Sequence, residues 1–479
     1  MTSNEEPRHH TTKGDNTVAH NLEEAIAEAG SPHTLLWESQ SPPIVSTPVT
    51  PEFTNWRDEQ LAWRRTAVLF DQSHHMADLN IKGPDALKLI RDTAVNSVEN
   101  FPINSAKQYV ATNDQGQLIG DNILFRYEED EYQAVGVPPT INWLQFHAET
   151  GGYDVEISRD NPSYARKGDP KEYRYEVQGP GAIDVIRDAL GEEPPTVKFF
   201  HGARFTIGGK TVRALRHGMA AEPGFEFVGP WADREAVVGA LIEAGKKHGL
   251  VQVGGRAYLT NSLESGWLPR PLPAFYSGES TAAFRRWLPA DEIDANVSLG
   301  GSFYSENIED YYFSPYDVGY GRITKFDHDF IGREALEKQV ESGRSTANRK
   351  VTLVWNGNDT EKAFGSMFHP GPGAKFFNLP IAHYATYHYD RIESPDGAYV
   401  GRSTHTGYSA NERSFLSVSV VDEAFAEPGT EVVLVWGEPT PSSKVQVEDH
   451  VQVKIRATVQ PAPLVAKARG EYRSNVGVS

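Results

Sequence analysis

A ten-residue pattern occurs twice in the chain, as Gly83-Pro84-Asp85-Ala86-Leu87-Lys88-Leu89-Ile90-Arg91-Asp92 and as Gly179-Pro180-Gly181-Ala182-Ile183-Asp184-Val185-Ile186-Arg187-Asp188. Each copy follows an alternating run. Ala77, Leu79 and Ile81 share a face before the first, and Tyr173, Tyr175 and Val177 before the second, the period of a strand with one buried side. Each copy then takes the helical period, with Leu87 and Ile90 on one stripe and Ile183, Ile186 and Leu190 on the other. A strand, a Gly-Pro turn and a helix used twice predict two related α+β halves. The competing reading is that Gly-Pro is simply a common strand-to-helix turn.

The flanks differ from this middle. Residues 1–20 are polar and read as a disordered tail, in which His9 and His10 are solvated rather than metal ligands. A short helix follows, capped by Asn21, with Leu22, Ala25, Ile26 and Ala29 on one face and Gly30 at its end. Residues 31–55 are rich in Pro, Ser and Thr and predict an extended arm. A helix over about 232–248 turns Val237, Val238, Leu241 and Ile242 inward. From about 346 the texture becomes β-rich: Lys350–Trp355, Phe415–Val421, Glu431–Trp436 and Gln452–Val459 are separated by turn residues, after an acidic helix at Glu334–Glu341. The class is α+β with a C-terminal β-barrel or sandwich.

Length and composition narrow the function. At roughly 150 residues per domain, 479 residues suggest about three domains. The formal net charge of −19 argues against nucleic acid and anionic membrane as partners. The absence of cysteine removes thiolate metal sites, iron–sulfur clusters, disulfides and cysteine nucleophiles, and fits a reducing compartment. The polar N-terminus is no secretory signal and no run is long enough to span a bilayer, so the expectation is a cytoplasmic protein. No dinucleotide, P-loop, HExxH or GxSxG pattern is present. His74-His75 would face opposite ways on a strand and make poor joint ligands, and Asp327-His328-Asp329 reads as a polar turn. No metal site is expected.

Seven segments, in order, resemble the aminomethyltransferase family that includes the T-protein of glycine cleavage. They are Phe70-Asp71-Gln72-Ser73-His74-His75-Met76 (with one extra residue), Asn113 to Asp121, Arg216 to Glu226, Leu263-Glu264-Ser265-Gly266, Phe313 to Gly319, Phe330 to Leu336 and Gly401 to Ser409. Asp71-Gln72-Ser73, Asn142 to Tyr153 and Leu263 to Trp267 are similar to the tetrahydrofolate-dependent aryl O-demethylases of that family. The resemblance implies a three-domain cloverleaf around a central folate funnel. It divides the chain into a tail and arm (1–55), a folate-binding region of two α+β halves (56–345) and a C-terminal β-barrel (346–479).

It also implies an activity. A methyl group would pass from a methoxylated aromatic compound to N5 of tetrahydrofolate, leaving a phenol. The alternative is another folate-dependent one-carbon transferase, with an N- or S-methyl donor or an aminomethyl substrate. Gly120 stands where glycine-cleavage members place an aspartate, and Tyr258 where they place an arginine. A non-catalytic folate binder of the iron–sulfur maintenance branch would need a cysteine. The partner is a small molecule, with the protein a monomer or homodimer.

The residue roles follow from that resemblance. Tyr258 is the candidate catalytic donor to the ether oxygen, or else a buried tyrosine with a satisfied hydroxyl. Gln72, Ser73 and His75 are candidates for the substrate side, on a strand facing it, or else core polar residues. Val137 occupies the place where vanillate-type enzymes carry an arginine for the substrate carboxylate. Glu226 suits the pterin, whose 2-amino-pyrimidinone edge donates two parallel N–H bonds, with Glu222 the second choice. Tyr109 and Trp267 offer flat faces to pterin or arene. Arg256 pairs with Glu264, or supplies the charge that Val137 lacks.

Overall fold

The computed structural model describes residues 19–43, 48–220, 222–439, 442 and 444–470. His9 and His10 lie outside the described residues.

The repeated pattern is part of a larger duplication. In the first copy the strand Ala77–Lys82 leads through Gly83 into the helix Ala86–Thr93. An antiparallel meander follows (Ser105–Thr112, Leu118–Arg126, Glu131–Gly136), then the helix Pro138–Thr150 and the edge strand Glu156–Asp160. In the second copy Glu172–Gln178 leads through Gly179 into Ala182–Leu190. The meander is Gly202–Ile207, Lys210–Arg216 and Gly224–Pro230, followed by the helix Arg234–Gly245 and the strand Leu250–Val253. In both sheets the meander's third strand pairs with the strand that opens the copy. The two glycines have one cause. At Gly83 (φ +146°) a Cβ would lie 2.4 Å from the Asp154 carbonyl oxygen, and at Gly179 (φ +123°) 2.6 Å from that of Thr66. Only glycine adopts such backbone with another chain segment so close.

The copies differ by one strand. Ala67–Asp71 precedes the first copy yet belongs to the second sheet, between Glu172–Gln178 (antiparallel) and Leu250–Val253 (parallel). The chain therefore crosses from one sheet to the other within residues 72–76. Each sheet packs its outer face on helices, in two separate cores. Between the sheets lies a small apolar cluster of Ala106, Phe125, Val135 and Leu215 beside a set of buried polar residues.

The C-terminal region is a closed six-stranded barrel in the order Asn348–Trp355, Ser414–Asp422, Tyr399–Ser409, Asp390–Glu393, Glu431–Trp436, Val453–Pro461. The four β-runs of the sequence are four of these strands. Closure removes the exposed edges that a short open sheet would leave.

The arm departs from expectation. Residues 32–38 are helical (Pro32–Glu38), because Ser31 caps the Thr34 N–H and Pro32 sits where a helix tolerates it. The capped helix Leu22–Ala29 docks beside it, with the Leu22 N–H bonded to the Leu288 carbonyl at 2.9 Å. No helix among the described residues is long and apolar enough to cross a membrane.

Candidate active site

Four elements meet between the sheets. The crossing segment 72–76 enters from one side. The strands Glu172–Gln178 and Gly224–Pro230 present one face. The short helix Gly255–Tyr258 closes the end.

Tyr258 is fixed from behind. Glu59, fully buried on the helix Trp56–Arg65, accepts N–H bonds from Phe53 (2.7 Å), Thr54 (2.9 Å) and Gly254 (2.9 Å), so the arm, that helix and the start of 255–258 form one unit. Glu264 fastens the next turn. It accepts from Trp63 Nε1 (3.0 Å), Arg64 Nε (2.9 Å) and the Ser409 hydroxyl of the barrel (2.6 Å). Arg256 does not pair with Glu264 as expected. It points outward to Glu52 and the Leu379 carbonyl, because Arg64 already satisfies Glu264.

The Tyr258 hydroxyl lies 2.8 Å from His75 Nε2 and 3.4 Å from Met219 Sδ. Burial, then the positive charge of Arg270, pull the His75 imidazole down to about 3, so the ring is neutral. Burial, then Glu176 and Glu226, hold the Tyr258 hydroxyl well above its ordinary value of 10. The pair is therefore a neutral phenol against a neutral imidazole across the physiological range.

Gln72, Ser73 and His75 occupy the crossing turn rather than a strand, since the strand ends at Asp71 and the next begins at Ala77. Being in a turn also separates the two histidines: His74 Nδ1 lies 2.7 Å from the Ser163 hydroxyl, away from Tyr258. Gln72 is buried, donates to Glu176 and contacts Met219 Sδ at 2.8 Å, while its Oε1 is buried without a partner. The Ser73 hydroxyl accepts the Arg174 N–H at 2.9 Å and so pins the crossing to the neighbouring strand.

Glu226 and Glu176 stand opposite each other on adjacent strands. Arg174 bonds Glu226 and lies 3.8 Å from Asp78. Glu176 accepts from the Met219 N–H at 2.9 Å and from the amides of Gln72 and Gln178. Burial, then the facing Glu226, raise Glu176 to about 8. Glu176, Glu226 and His217 bring three possible ligand atoms within 4.8 Å, the one such cluster among the described residues. A cation there would compete with Arg174 for Glu226. Glu176 escaped the sequence reading, although the same alternation that buries Tyr173, Tyr175 and Val177 puts Arg174, Glu176 and Gln178 on the opposite face.

Glu176 makes stability depend on pH. Its folded value of about 8 lies above the ordinary 4.5, so this contribution is fully present below 4.5 and is lost as pH rises through 8. Glu176→Gln removes the titration. The variant is expected to gain stability relative to the parent between pH 5 and pH 9 by on the order of a few kcal/mol, read from urea unfolding at both pH values. Equal parent-to-variant differences at the two pH values would refute it.

The remaining candidates separate. Trp267 is half-buried, with Nε1 donating to Asp121 of the first sheet at 3.2 Å. Burial raises Asp121 to about 6 against hydrogen bonds from Tyr320 and Trp267. Position 120 faces the helix, where a Cβ would meet Thr140 Oγ1 at 2.4 Å, whereas its neighbour Asp121 turns a carboxylate to the other side, onto Gln108 and Trp267. Tyr109 does not face this space. It is wholly buried in the helix-covered core, since residue 109 lies on the opposite side of its strand from Gln108, which bonds Asp121. Glu222 is not at the pair of carboxylates either; it is buried and holds Lys467 at 2.9 Å. Val137 is half-buried and precedes the helix Pro138–Thr150 as its cap position. A narrow crevice lined by Gln72, Ser73, Met76, Asp78 and Arg174 opens beside the crossing turn. A wider surface hollow around Leu87, Lys88 and Arg91 shares no residue with it.

Comparison with known proteins shows the family and the fold. The GCVT N-terminal domain model matches residues 37–269. Syringate O-demethylase of Sphingobium sp. strain SYK-6 is 46% identical over 95% of this chain and 98% of its own. The chain belongs to the GCVT family. Sesamin methylene transferase of Sinomonas sp. strain No.22 is 30% identical, over 83% of this chain and 88% of its own. An aminomethyltransferase of Streptomyces avermitilis is 29% identical, over 78% and 83%. In fold, the chain matches the glycine cleavage aminomethyltransferase T of Bartonella henselae with a TM-score of 0.59, at 17% identity and covering 88% of this chain and 92% of that one. The α+β, T-protein-like architecture with a C-terminal barrel expected of this GCVT family member is the one observed.

Proposed function

We propose that this protein is a tetrahydrofolate-dependent O-demethylase, moving a methyl group from a methoxylated arene to the folate and releasing a phenol. The observation that carries the reading is the Tyr258–His75 hydrogen bond between the two sheets, beside a buried, acceptor-rich pair of carboxylates. The 46% identity to a syringate O-demethylase, against 29% to an aminomethyltransferase, favours an ether donor over an amine.

The residues fit a reduced folate. Glu226, Glu176 and the unpartnered Gln72 Oε1 are acceptors gathered in one buried place. The 2-amino-4-oxo edge of a pterin carries N–H donors that suit Gln72 Oε1, which has no partner, and the lone pairs that Arg174 leaves on Glu226. Trp267, fixed to Asp121, is the candidate ring face for the pterin or the arene. Bound tetrahydrofolate supplies a secondary amine nitrogen that accepts the methyl group and gives up a proton, balancing the proton taken by the phenol.

The chain's own task is to position the donor and stabilise the leaving oxygen. Tyr258 donates its O–H to the ether oxygen as charge develops there. Its raised pKa keeps it protonated, and as a weaker acid than an ordinary phenol it acts by hydrogen bonding rather than by surrendering its proton. His75, held neutral, aims the hydroxyl; Met219 and Phe70 pack around it, the latter edge-on at 5.6 Å between ring centroids. Gln72 orients Glu176, and Ser73 fixes the crossing turn.

The test is product analysis. Purified protein with tetrahydrofolate and a panel of methoxyarenes is expected to give equimolar phenol and 5-methyltetrahydrofolate by chromatography. Methylene-folate instead, with ammonia released from an amine donor, would overturn the ether reading.

A further inference from the structure

The chain has no cysteine and four methionines, so its sulfur chemistry rests on thioethers alone. Met1 lies outside the described residues. Met367 is 45% exposed in the C-terminal region and takes no part in the site. Met76 is half-buried at the end of the crossing turn and packs against the small apolar cluster between the sheets. Met219 differs from both. Its sulfur lies 3.4 Å from the Tyr258 hydroxyl and 2.8 Å from Gln72 Nε2. Both of those groups are donors, and a thioether is a weak acceptor. Two donors therefore converge on one poor acceptor.

The segment that carries Met219 is held in place. The Met219 N–H donates to Glu176 at 2.9 Å, and the Ala220 N–H to Gln178 Oε1 at 2.6 Å. At Gly218 the chain passes so close to the next turn that a Cβ would lie 2.5 Å from the Glu222 carbonyl oxygen. The Met219 side chain is half-buried, so a small oxidant reaches its sulfur. The Tyr258 hydroxyl has two polar neighbours. When His75 Nε2–H donates to its oxygen, its own proton points at the sulfur. The thioether holds that proton weakly and yields it to the ether oxygen of a bound substrate.

We propose that Met219 is an oxidation site whose sulfoxide switches the enzyme off. A hydroperoxide transfers one oxygen atom to the sulfur. An S–O bond forms and the O–O bond breaks; the sulfur gives up two electrons and the peroxide leaves as water or an alcohol. The sulfoxide oxygen is a strong acceptor beside two donors. It takes the Tyr258 O–H that the leaving phenolate needs, and it competes with Glu176 for the Gln72 amide. The proposal rests on the O-demethylase reading for the role of Tyr258.

The experiment treats the full chain with graded hydrogen peroxide and destroys the excess with catalase before tetrahydrofolate is added. Peptide mass spectrometry follows Met219 while turnover of a methoxyarene is measured. The parent is expected to lose kcat in step with the oxygen gained at Met219, by ~10²-fold at full oxidation, the scale of losing one donor to a developing oxyanion. Methionine sulfoxide reductases should restore it. The Met219→Leu protein should keep its own untreated rate through the same doses, while Met76→Leu and Met367→Leu proteins lose theirs as the parent does. Tyr258→Phe, which already lacks the hydroxyl, should lose little more. Thermal unfolding and fluorescence titration with tetrahydrofolate should change little on oxidation. Oxygen on Met367 but none on Met219, full rate after Met219 is oxidised, or an equal loss in the Met219→Leu or Tyr258→Phe protein overturns the switch while leaving demethylation intact. Unfolding or lost folate affinity in the oxidised parent overturns it as well. No methylated folate from any ring, with methylene-folate formation from an amine donor lost as Met219 is oxidised, upholds the switch and overturns the ether reading instead.

Discussion

Tyr258→Phe is expected to lower kcat by ~10²–10³-fold, the usual effect of deleting one donor to a developing oxyanion, with KM for the arene changed far less. The reasoning is geometric. The hydroxyl sits at the meeting point of the crossing turn and the 255–258 helix, 2.8 Å from a neutral imidazole. Phenylalanine keeps the ring packing on Phe70 and the anchors at Glu59 and Glu264, neither of which involves the hydroxyl. The fold and folate affinity should therefore survive, which fluorescence titration with tetrahydrofolate checks. Loss of folate binding in parallel with kcat would show that the hydroxyl serves the cofactor rather than the ether. Unchanged kcat would remove Tyr258 from the mechanism.

The second large effect concerns the barrel. Lys375 and Glu438 form an ion pair at 2.9 Å with side-chain exposures of 0% and 1%, and the ammonium lies 4.3 Å from the Trp436 ring centre. Glu438 also accepts the Gly301 N–H at 3.2 Å, which ties the barrel to the chain before it. Burial pushes Glu438 up, but Lys375 and His388 hold it below its usual range, so it is ionised. Lys375→Met leaves that charge buried and uncompensated, which costs ~3–5 kcal/mol. Urea unfolding followed by tryptophan fluorescence should show a markedly lower midpoint. The double variant Lys375→Met, Glu438→Leu should recover most of the loss, because an apolar pair removes the desolvation penalty as well. A single variant within ~0.5 kcal/mol of the parent, the range of ordinary surface changes, would contradict the buried-pair account.

Much of the architecture was legible before any coordinates. The Gly83 and Gly179 turns announced a duplication because a glycine pressed against another backbone leaves a local sequence trace. Four of the six barrel strands were visible as β-rich runs. The strands Asp390–Glu393 and Tyr399–Ser409 were not read from pattern, the first being four residues long and the second kinked by a register shift at Ser403/His405. The helix Pro32–Glu38 was missed because its Ser-Pro start also suits an extended arm.

For the site, the sequence by itself determined which residue types are available: Tyr258, His75, Gln72, Glu226 and Trp267 in family-like order, and Val137 in place of an arginine. Tertiary structure decided which of them meet. Strand parity, which flips with a single residue, turned Tyr109 into the core and brought Asp121 between the sheets. A crossover decided that residues 72–76 form a turn joining two sheets. Long-range packing brought together His75 and Tyr258, 183 positions apart, and paired Glu176 with Glu226. Local periodicity records which face a side chain takes along its own element. It holds no record of which distant element will supply, or withhold, the opposite charge.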